Sequence, residues 1–286
     1  LDHIRYNESK KGSELLISYL FILCIGIISA VFGSLVGLGG GVIIVPALIY
    51  LSPLLLDHEM STSVAVGTSL TVLIFTAASS TFTFLKQGRV DYKSGILFFT
   101  TSGPAAVLGA SLTSAFQGDS FKLAFGIFIF FMAILLIIKK YLKPLSFHWK
   151  IQRSYIDPAG KSFTYGYNIL PALLVGFGVG LVSGLFGIGG GSLFVPAMVL
   201  LFSFPPHVAT ATSMFVILFS SILGSATHIY LGEIDWFSVL ALAPGALFGG
   251  WLGAWIAGRM SSKLLLNILL VILFLISLRL IIEGMI

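Results

Sequence analysis

Four glycines and a proline punctuate the apolar run "GLGGGVIIVPA", Gly37 to Ala47, and the chain nearly repeats it as "GIGGGSLFVPA", Gly187 to Ala197, with seven of eleven positions identical. Consecutive glycines are poor helix formers, each about 1 kcal/mol worse than alanine. Gly39, Gly40 and Gly41, and Gly189, Gly190 and Gly191, therefore read as helix breaks. Pro46 and Pro196, which cannot donate to the carbonyls of Val42 and Ser192, predict a second interruption. A helix restarting after Gly41 or Gly191 would present unpaired amides and the positive end of its dipole, chemistry that suits an anion. Hydroxyls that would complete such a site also recur. Thr68 and Ser69 in "AVGTSLTVLIF" match Thr212 and Ser213 in "ATATSMFVILF", with Ser192, Ser34, Thr71 and Thr210 as further candidates.

A plainer use fits some of these glycines. Gly33, Gly37 and Gly41 fall at intervals of four, as do Gly180 and Gly184, a spacing by which small residues let membrane helices pack closely. Packing accounts for Gly33 and Gly37. It does not account for three glycines in a row, because only one of three successive residues faces a given partner.

The elements that must position these groups follow from the medium. Hydrophobic residues make up 57% of the chain and charged ones 9%, with a mean hydropathy of +1.05, which places the chain in a membrane. Ten apolar stretches stand out, near 15–36, 38–56, 62–85, 94–116, 123–138, 168–187, 190–204, 208–231, 236–257 and 264–282. Most are long enough to cross a hydrocarbon core of about 30 Å, while the second and seventh are short or interrupted. The expected fold is all-α, since a β-barrel would show alternating strands of about ten residues. Arg279 is the one charged residue inside these stretches. Irregular backbone at membrane depth is tolerated only inside protein or along a water-filled cavity, so the glycine breaks should form a site.

Several chemistries are excluded or disfavoured. Val42 and Ser192 occupy the third glycine position of a dinucleotide fingerprint, and no lysine stands where a P-loop needs one. The spans hold no paired carboxylates, histidine cluster or nucleophile with a base, so no catalytic residue, metal site or cofactor is expected. Cys24, the single cysteine, reads as a packing residue. Asp91 and Asp235 read as caps of the next helix, and His228 as either an interfacial histidine or a proton sensor. Arg5, Lys10 and Lys11 ahead of the first stretch resemble a signal peptide, but the second half carries an equivalent internal segment, so the stretch is expected to be retained.

The two halves read as one repeated unit of five segments. "GRVDY" at Gly88 faces "GEIDW" at Gly232, and "GPAAVLGASL" at Gly103 faces "APGALFGGWL" at Ala243. The expected organisation is a first repeat over 1–138, a basic linker over 139–167 and a second repeat over 168–286. Lys139, Lys140, Lys143, Lys150, Arg153 and Lys161 against Asp157 put the linker on the cytoplasmic side, which also explains its charge without nucleic acid. Lys86, Arg89 and Lys93 flank the first loop, whereas its counterpart holds Glu233 and Asp235; the next pair sets Asp119 with Lys122 against Arg259 and Lys263. Equivalent loops of opposite bias imply inverted repeats, with about eight to ten membrane segments in all. The competing arrangement takes each glycine motif as a break within one span, giving four plus four crossings in parallel orientation.

"GSLVGLGGGVIIVPAL", "SGLFGIGGGSLFVPAM" and "ATATSMFVILFSS" resemble the TauE/SafE family of membrane transporters, also described as sulfite and organosulfonate permeases, over nearly the whole chain. The resemblance implies a secondary transporter in a bacterial or archaeal cytoplasmic membrane, surrounded by lipid. Its substrate would be a small sulfur-containing anion such as sulfite or an organosulfonate, moved outward. With the cell interior negative, each negative charge leaving gains about 2.3 kcal/mol per 100 mV, so export needs no coupled ion. An anion channel, or a transporter for another small anion, would use the same site.

Overall fold

The computed structural model describes residues 2–55, 59–116, 118–138, 149–156, 160, 162–259 and 263–285. Each of the ten apolar stretches is a helix. In the first half these are α1 (Asp2–Val36), α2 (Gly41–Leu55), α3 (Thr62–Lys86), α4 (Tyr92–Thr113) and α5 (Asp119–Ile138). The second half gives α6 (Ile169–Phe186), α7 (Gly191–Leu201), α8 (Pro206–Tyr230), α9 (Trp236–Ala257) and α10 (Lys263–Met285). Among the described residues six are long and apolar enough to cross a membrane: α3, α4, α6, α8, α9 and the Ser18–Val36 part of α1. At about 1.5 Å per residue, α2 and α7 reach only about 22 and 16 Å, short of a span.

One expectation fails here: the chain is mostly but not wholly helical. An antiparallel hairpin, β1 (Ile151–Ile156) and β2 (Ser162–Tyr167), lies within the linker, with Ile151 opposite Tyr167 and Ile156 opposite Ser162. Burial alternates along β1, the period-two pattern of a strand covering a surface. Tyr165 and Tyr167 of β2 enter an aromatic cluster with Phe98, Phe194, Phe202 and Phe204. The linker is thereby docked on the helices. Lys139, Lys140, Lys143, Asp157 and Lys161 lie outside the described residues.

The two halves interlock. α1 packs along α9 and α6 along α4, while α3 lies against α8 and α5 against α10. Each of these pairings maps onto its counterpart when the halves are exchanged. α3 and α8 run antiparallel: Thr71 meets Ser225 (Oγ1 to Oγ 2.7 Å), and Gly67 lies against His228. Glycines set the approach. A Cβ at Gly180 or Gly184 of α6 would sit 2.2 and 2.1 Å from the carbonyls of Ser102 and Ala106, and one at Gly249 or Gly253 of α9 would sit 2.4 and 2.5 Å from those of Ile27 and Val31. The stripe is thus on α6 in one pair and on α9 in the other.

This packing corrects the downstream alignment. Gly109 meets the carbonyl of Leu181 as Gly253 meets that of Val31, so α4 and α9 correspond cap to cap. Pairing Pro104 with Pro244 slides them one turn out of register, because "GPAAVLGASL" and "APGALFGGWL" match in composition rather than position. Pro46 and Pro196 also depart from expectation: each is the sixth residue of a helix that continues past it. One missing donor does not interrupt a segment whose neighbours Val45 and Val195 are buried. Cys24 is exposed on the outer surface of α1 and packs no core.

The packing predicts a contrast within one helix. Gly184→Val should destabilise by about 1–3 kcal/mol or more through overpacking against α4, whereas Gly178→Ala, with nothing within 4 Å, should be neutral or stabilising. Thermal unfolding of the two variants in detergent checks this.

Candidate functional site

The glycine motifs are built residue by residue for a sharp reversal. Gly37, Gly39 and Gly40 have φ of 79°, 85° and 100°, and Gly187, Gly189 and Gly190 have 69°, 75° and 72°, a region that side chains resist. The amides of Leu38 and Gly39 bond back to the carbonyl of Gly33, and Gly40 lies against Ser29. The chain therefore folds back along α1 before α2 begins. Gly37 belongs to this turn and Gly33 is pressed against Gly40, so helix packing is not what these two serve. Gly41 and Gly191 are helical, and their need for glycine is different: a Cβ would stand 2.3 Å from the Gly187 carbonyl and 1.9 Å from the Gly37 carbonyl. The two loops touch each other. Gly39 and Gly189 both abut Leu73 and Ile217, the equivalent residues of α3 and α8.

All four hydroxyls singled out by the repeat are fully buried; Ser69 and Ser213 reach the glycine loops, whereas Thr68 and Thr212 bond the backbone ahead of α9 and α4. Ser69 donates to the Gly187 carbonyl (2.8 Å) and Ser213 to the Gly37 carbonyl (3.0 Å). Thr68 accepts from the Asp235 amide (2.9 Å) and Thr212 from the Asp91 amide (3.0 Å). All four bonds run from one half of the chain to the other. Asp91 and Asp235 cap α4 and α9 as expected, accepting from the amides of Ser94 (3.2 Å) and Ser238 (2.9 Å). Of the outer candidates, Ser34 bonds Ser80 (2.5 Å) and Thr71 bonds Ser225, while the Thr210 carbonyl accepts from Ser213 (2.8 Å).

Donors remain where α2 and α7 begin. The amides of Gly41, Val42, Gly191 and Ser192 open these helices with no carbonyl a turn before them to accept. Ser192 and Ser183 are buried, their hydroxyls have no partner among the described residues, and Ser183 lies against Gly190. A buried hydroxyl left unpaired costs about 1–3 kcal/mol, and two of them set the start of α7 apart from that of α2. Residues at equivalent places in the first half are Gly33 and Val42, which carry no hydroxyl. Ser183 escapes a reading based on matching pairs for that reason.

Two further groups lie apart from the loops. His228, in the last turn of α8, is fully buried with its Nδ1 2.8 Å from Glu233 Oε2, so one ring nitrogen is satisfied, while Nε2 has no partner among the described residues. Arg279 pairs with Glu283 at 2.9 Å and stacks 4.0 Å over Tyr50, at the periphery. Among the described residues no group of three or more metal-ligating side chains occurs.

A family profile described as "Sulfite exporter TauE/SafE" matches residues 22–280. The chain belongs to this family. It is 46% identical over 270 residues to the protein named "Probable membrane transporter protein YunE" of Bacillus subtilis, covering 94% of this chain and 99% of that one. A "Probable membrane transporter protein" of Methanocaldococcus jannaschii is 28% identical over 217 residues, 76% of this chain and 74% of its own length. One of Haemophilus influenzae is 31% identical over 182 residues, 63% and 60% of the two chains. No solved structure matches. Membership makes this a multi-pass membrane protein of a transporter family, and the sulfur-anion resemblance seen in the motifs is the family's own description.

The meeting of the loops predicts a steep local sensitivity. Gly191→Ala should lower the thermal midpoint markedly, since its methyl has no room against the Gly37 carbonyl. Gly232→Ala, at a loop tip with nothing within 4 Å, should cost only about 1 kcal/mol from its φ of 72°. Unfolding of both variants in the same detergent measures the difference.

Proposed function

We propose that the chain is a secondary transporter that exports a small sulfur-containing oxyanion, sulfite or an organosulfonate, across the cytoplasmic membrane. The anion is held near the midplane by the amides that open α2 and α7, around Gly39, Gly40, Gly41, Gly189, Gly190 and Gly191. Hydroxyls of Ser192, Thr68, Ser69, Thr212 and Ser213 surround it. The observation that carries this reading is the start of α7, where unpaired amides meet the unpartnered, buried hydroxyls of Ser183 and Ser192. Such groups are all donors, with no cation to bind the anion irreversibly, which suits release. Ser69 and Ser213 now bridge to Gly187 and Gly37, so binding and passage require the two loops to exchange these mutual bonds for bonds to the anion.

The repeats are read as inverted. The antiparallel pairing of α3 with α8 supports this, as does the collection of Arg89, Lys93, Arg153 and Arg259 at one end of the bundle and of Glu233 and Asp235 at the other. By the positive-inside rule the basic end is cytoplasmic.

Two measurements test these statements. Proteoliposomes preloaded with sulfite should show saturable counterflow, and Ser192→Ala should raise the half-saturating concentration by about tenfold to a hundredfold, the worth of one hydrogen bond to an anion. Absence of sulfite, thiosulfate and sulfoacetate exchange by folded protein would remove the reading. Single cysteines at Gly88 and Gly232 should react with impermeant reagents from opposite sides; labelling from one side would end the inverted arrangement.

A further inference from the structure

At the basic end, the α3–α4 loop and the docked hairpin enclose a cavity of about 310 Å³ that none of the glycine-loop chemistry uses. Arg89, Lys93 and Arg153 line it with Tyr155, Tyr165 and Asp91. Among the described residues none of the three cations lies within ion-pair distance of a carboxylate. The Nε of Arg153 is buried without a partner. Asp91, the one acid in the wall, is already satisfied: its carboxylate accepts from the Ser94 hydroxyl (2.5 Å), the Ser94 amide (3.2 Å) and the Tyr165 phenol (3.1 Å). Burial and that carboxylate push the Tyr165 phenol above the ordinary tyrosine range, which keeps it neutral and donating to Asp91, so the donors left for the cavity are those of the three cations. The cavity is therefore a cationic, donor-rich pocket.

One wall of the cavity belongs to the helix that bonds a glycine loop. Val208 of α8 lines the cavity, Thr212 one turn further bonds the Asp91 amide, and the adjacent Ser213 bonds the Gly37 carbonyl. The corresponding loop at the other end carries Glu233 where this one carries Arg89, and Phe237 where this one carries Lys93. The hairpin that contributes Arg153 has no counterpart there among the described residues. The positive charges of Arg89 and Lys93 are thus missing from the equivalent positions of the other loop.

We propose that this cavity is a receiving site where Arg89, Lys93 and Arg153 gather a small oxyanion before it reaches the glycine loops. The identity of the anion as cargo rests on the transport reading above; the site's selectivity for an oxyanion rests on its own residues. Guanidinium forks and an ammonium match the oxygens of a sulfite, a sulfonate or a phosphate, and the volume admits a short organic tail. The same chemistry would take the phosphate of an anionic lipid.

Equilibrium binding of radiolabelled sulfite to the full chain in nanodiscs of phosphatidylcholine tests this directly. Lys93→Gln and Arg153→Gln should each weaken binding about fivefold to tenfold, with Arg153→Lys intermediate and added salt reducing the wild type toward the variants. Lys93 is exposed, so its variant tests the site even where Arg153→Gln fails to fold. Undetectable binding, or equal binding by wild type and Lys93→Gln, overturns the proposal. Displacement of sulfite by phosphatidylglycerol, lost in the same variants, would assign the site to lipid and overturn its role in receiving cargo. Counterflow on the same preparations separates the two readings. Lys93→Gln should raise half-saturation several-fold from the basic side with the maximal rate retained, whereas a wild type that binds sulfite at this site without exchanging it defeats the transport reading alone.

Discussion

Everything in this fold is arranged around two backbone carbonyls that leave no room for a methyl group. The Gly37 carbonyl occupies the place where a side chain on residue 191 would begin, and the Gly187 carbonyl does the same to residue 41. Such an approach requires each loop to reach across to the other half. That in turn requires α1 to lie on α9 and α6 on α4, so that neither half forms its core alone. The glycine stripes on α6 and α9 bring the helices close enough for the loops to meet. Ser69 and Ser213 then tie each loop to the opposite long helix.

The same approach explains why α2 and α7 are short. A chain that reverses at a left-handed glycine triad starts its next helix at depth rather than at the membrane surface. Only part of the membrane thickness remains for it. A helix begun at depth also brings its unpaired amides there, where water is scarce and each open donor is costly. Reversal, helix length and the open donors on which the proposed anion site rests are thus consequences of one backbone path.

Much of this was legible in the residues. Ten apolar runs became ten helices, and the duplicated glycine motif located both reversals. The duplicated Thr-Ser pairs marked the junction between halves, although their bonds to Gly187, Gly37, Asp91 and Asp235 connect segments more than a hundred positions apart and leave no local pattern. Pro46 and Pro196 misled because a proline penalty is a local quantity, and here tertiary packing outweighed it. The hairpin was hidden by its setting in a hydrophilic linker, where the alternation of Ile151, Arg153 and Tyr155 mixes charge with apolar residues. Ser183 was hidden by the repeat itself, since its counterpart is Gly33.

Near-symmetry of backbone combined with asymmetry of side chains has a mechanical meaning. Two halves with matching interfaces exchange roles at little cost, because a hydrogen bond or packed surface broken in one half has an equivalent to form in the other. If the side chains were symmetric as well, the two directions of movement would be equivalent. They are not: Arg89 stands where Glu233 stands, Lys93 where Phe237 stands, Val42 where Ser192 stands and Gly33 where Ser183 stands. At equilibrium these differences cannot drive net flux, which follows the gradient and the membrane potential. On the transport reading they would set the affinity an anion meets at each end, and so which side loads efficiently at low concentration. On the transport reading proposed above, alternation of the backbone and loading from the basic end would therefore be separable properties of this chain, one residing in the glycine loops and the other in the charges that surround them.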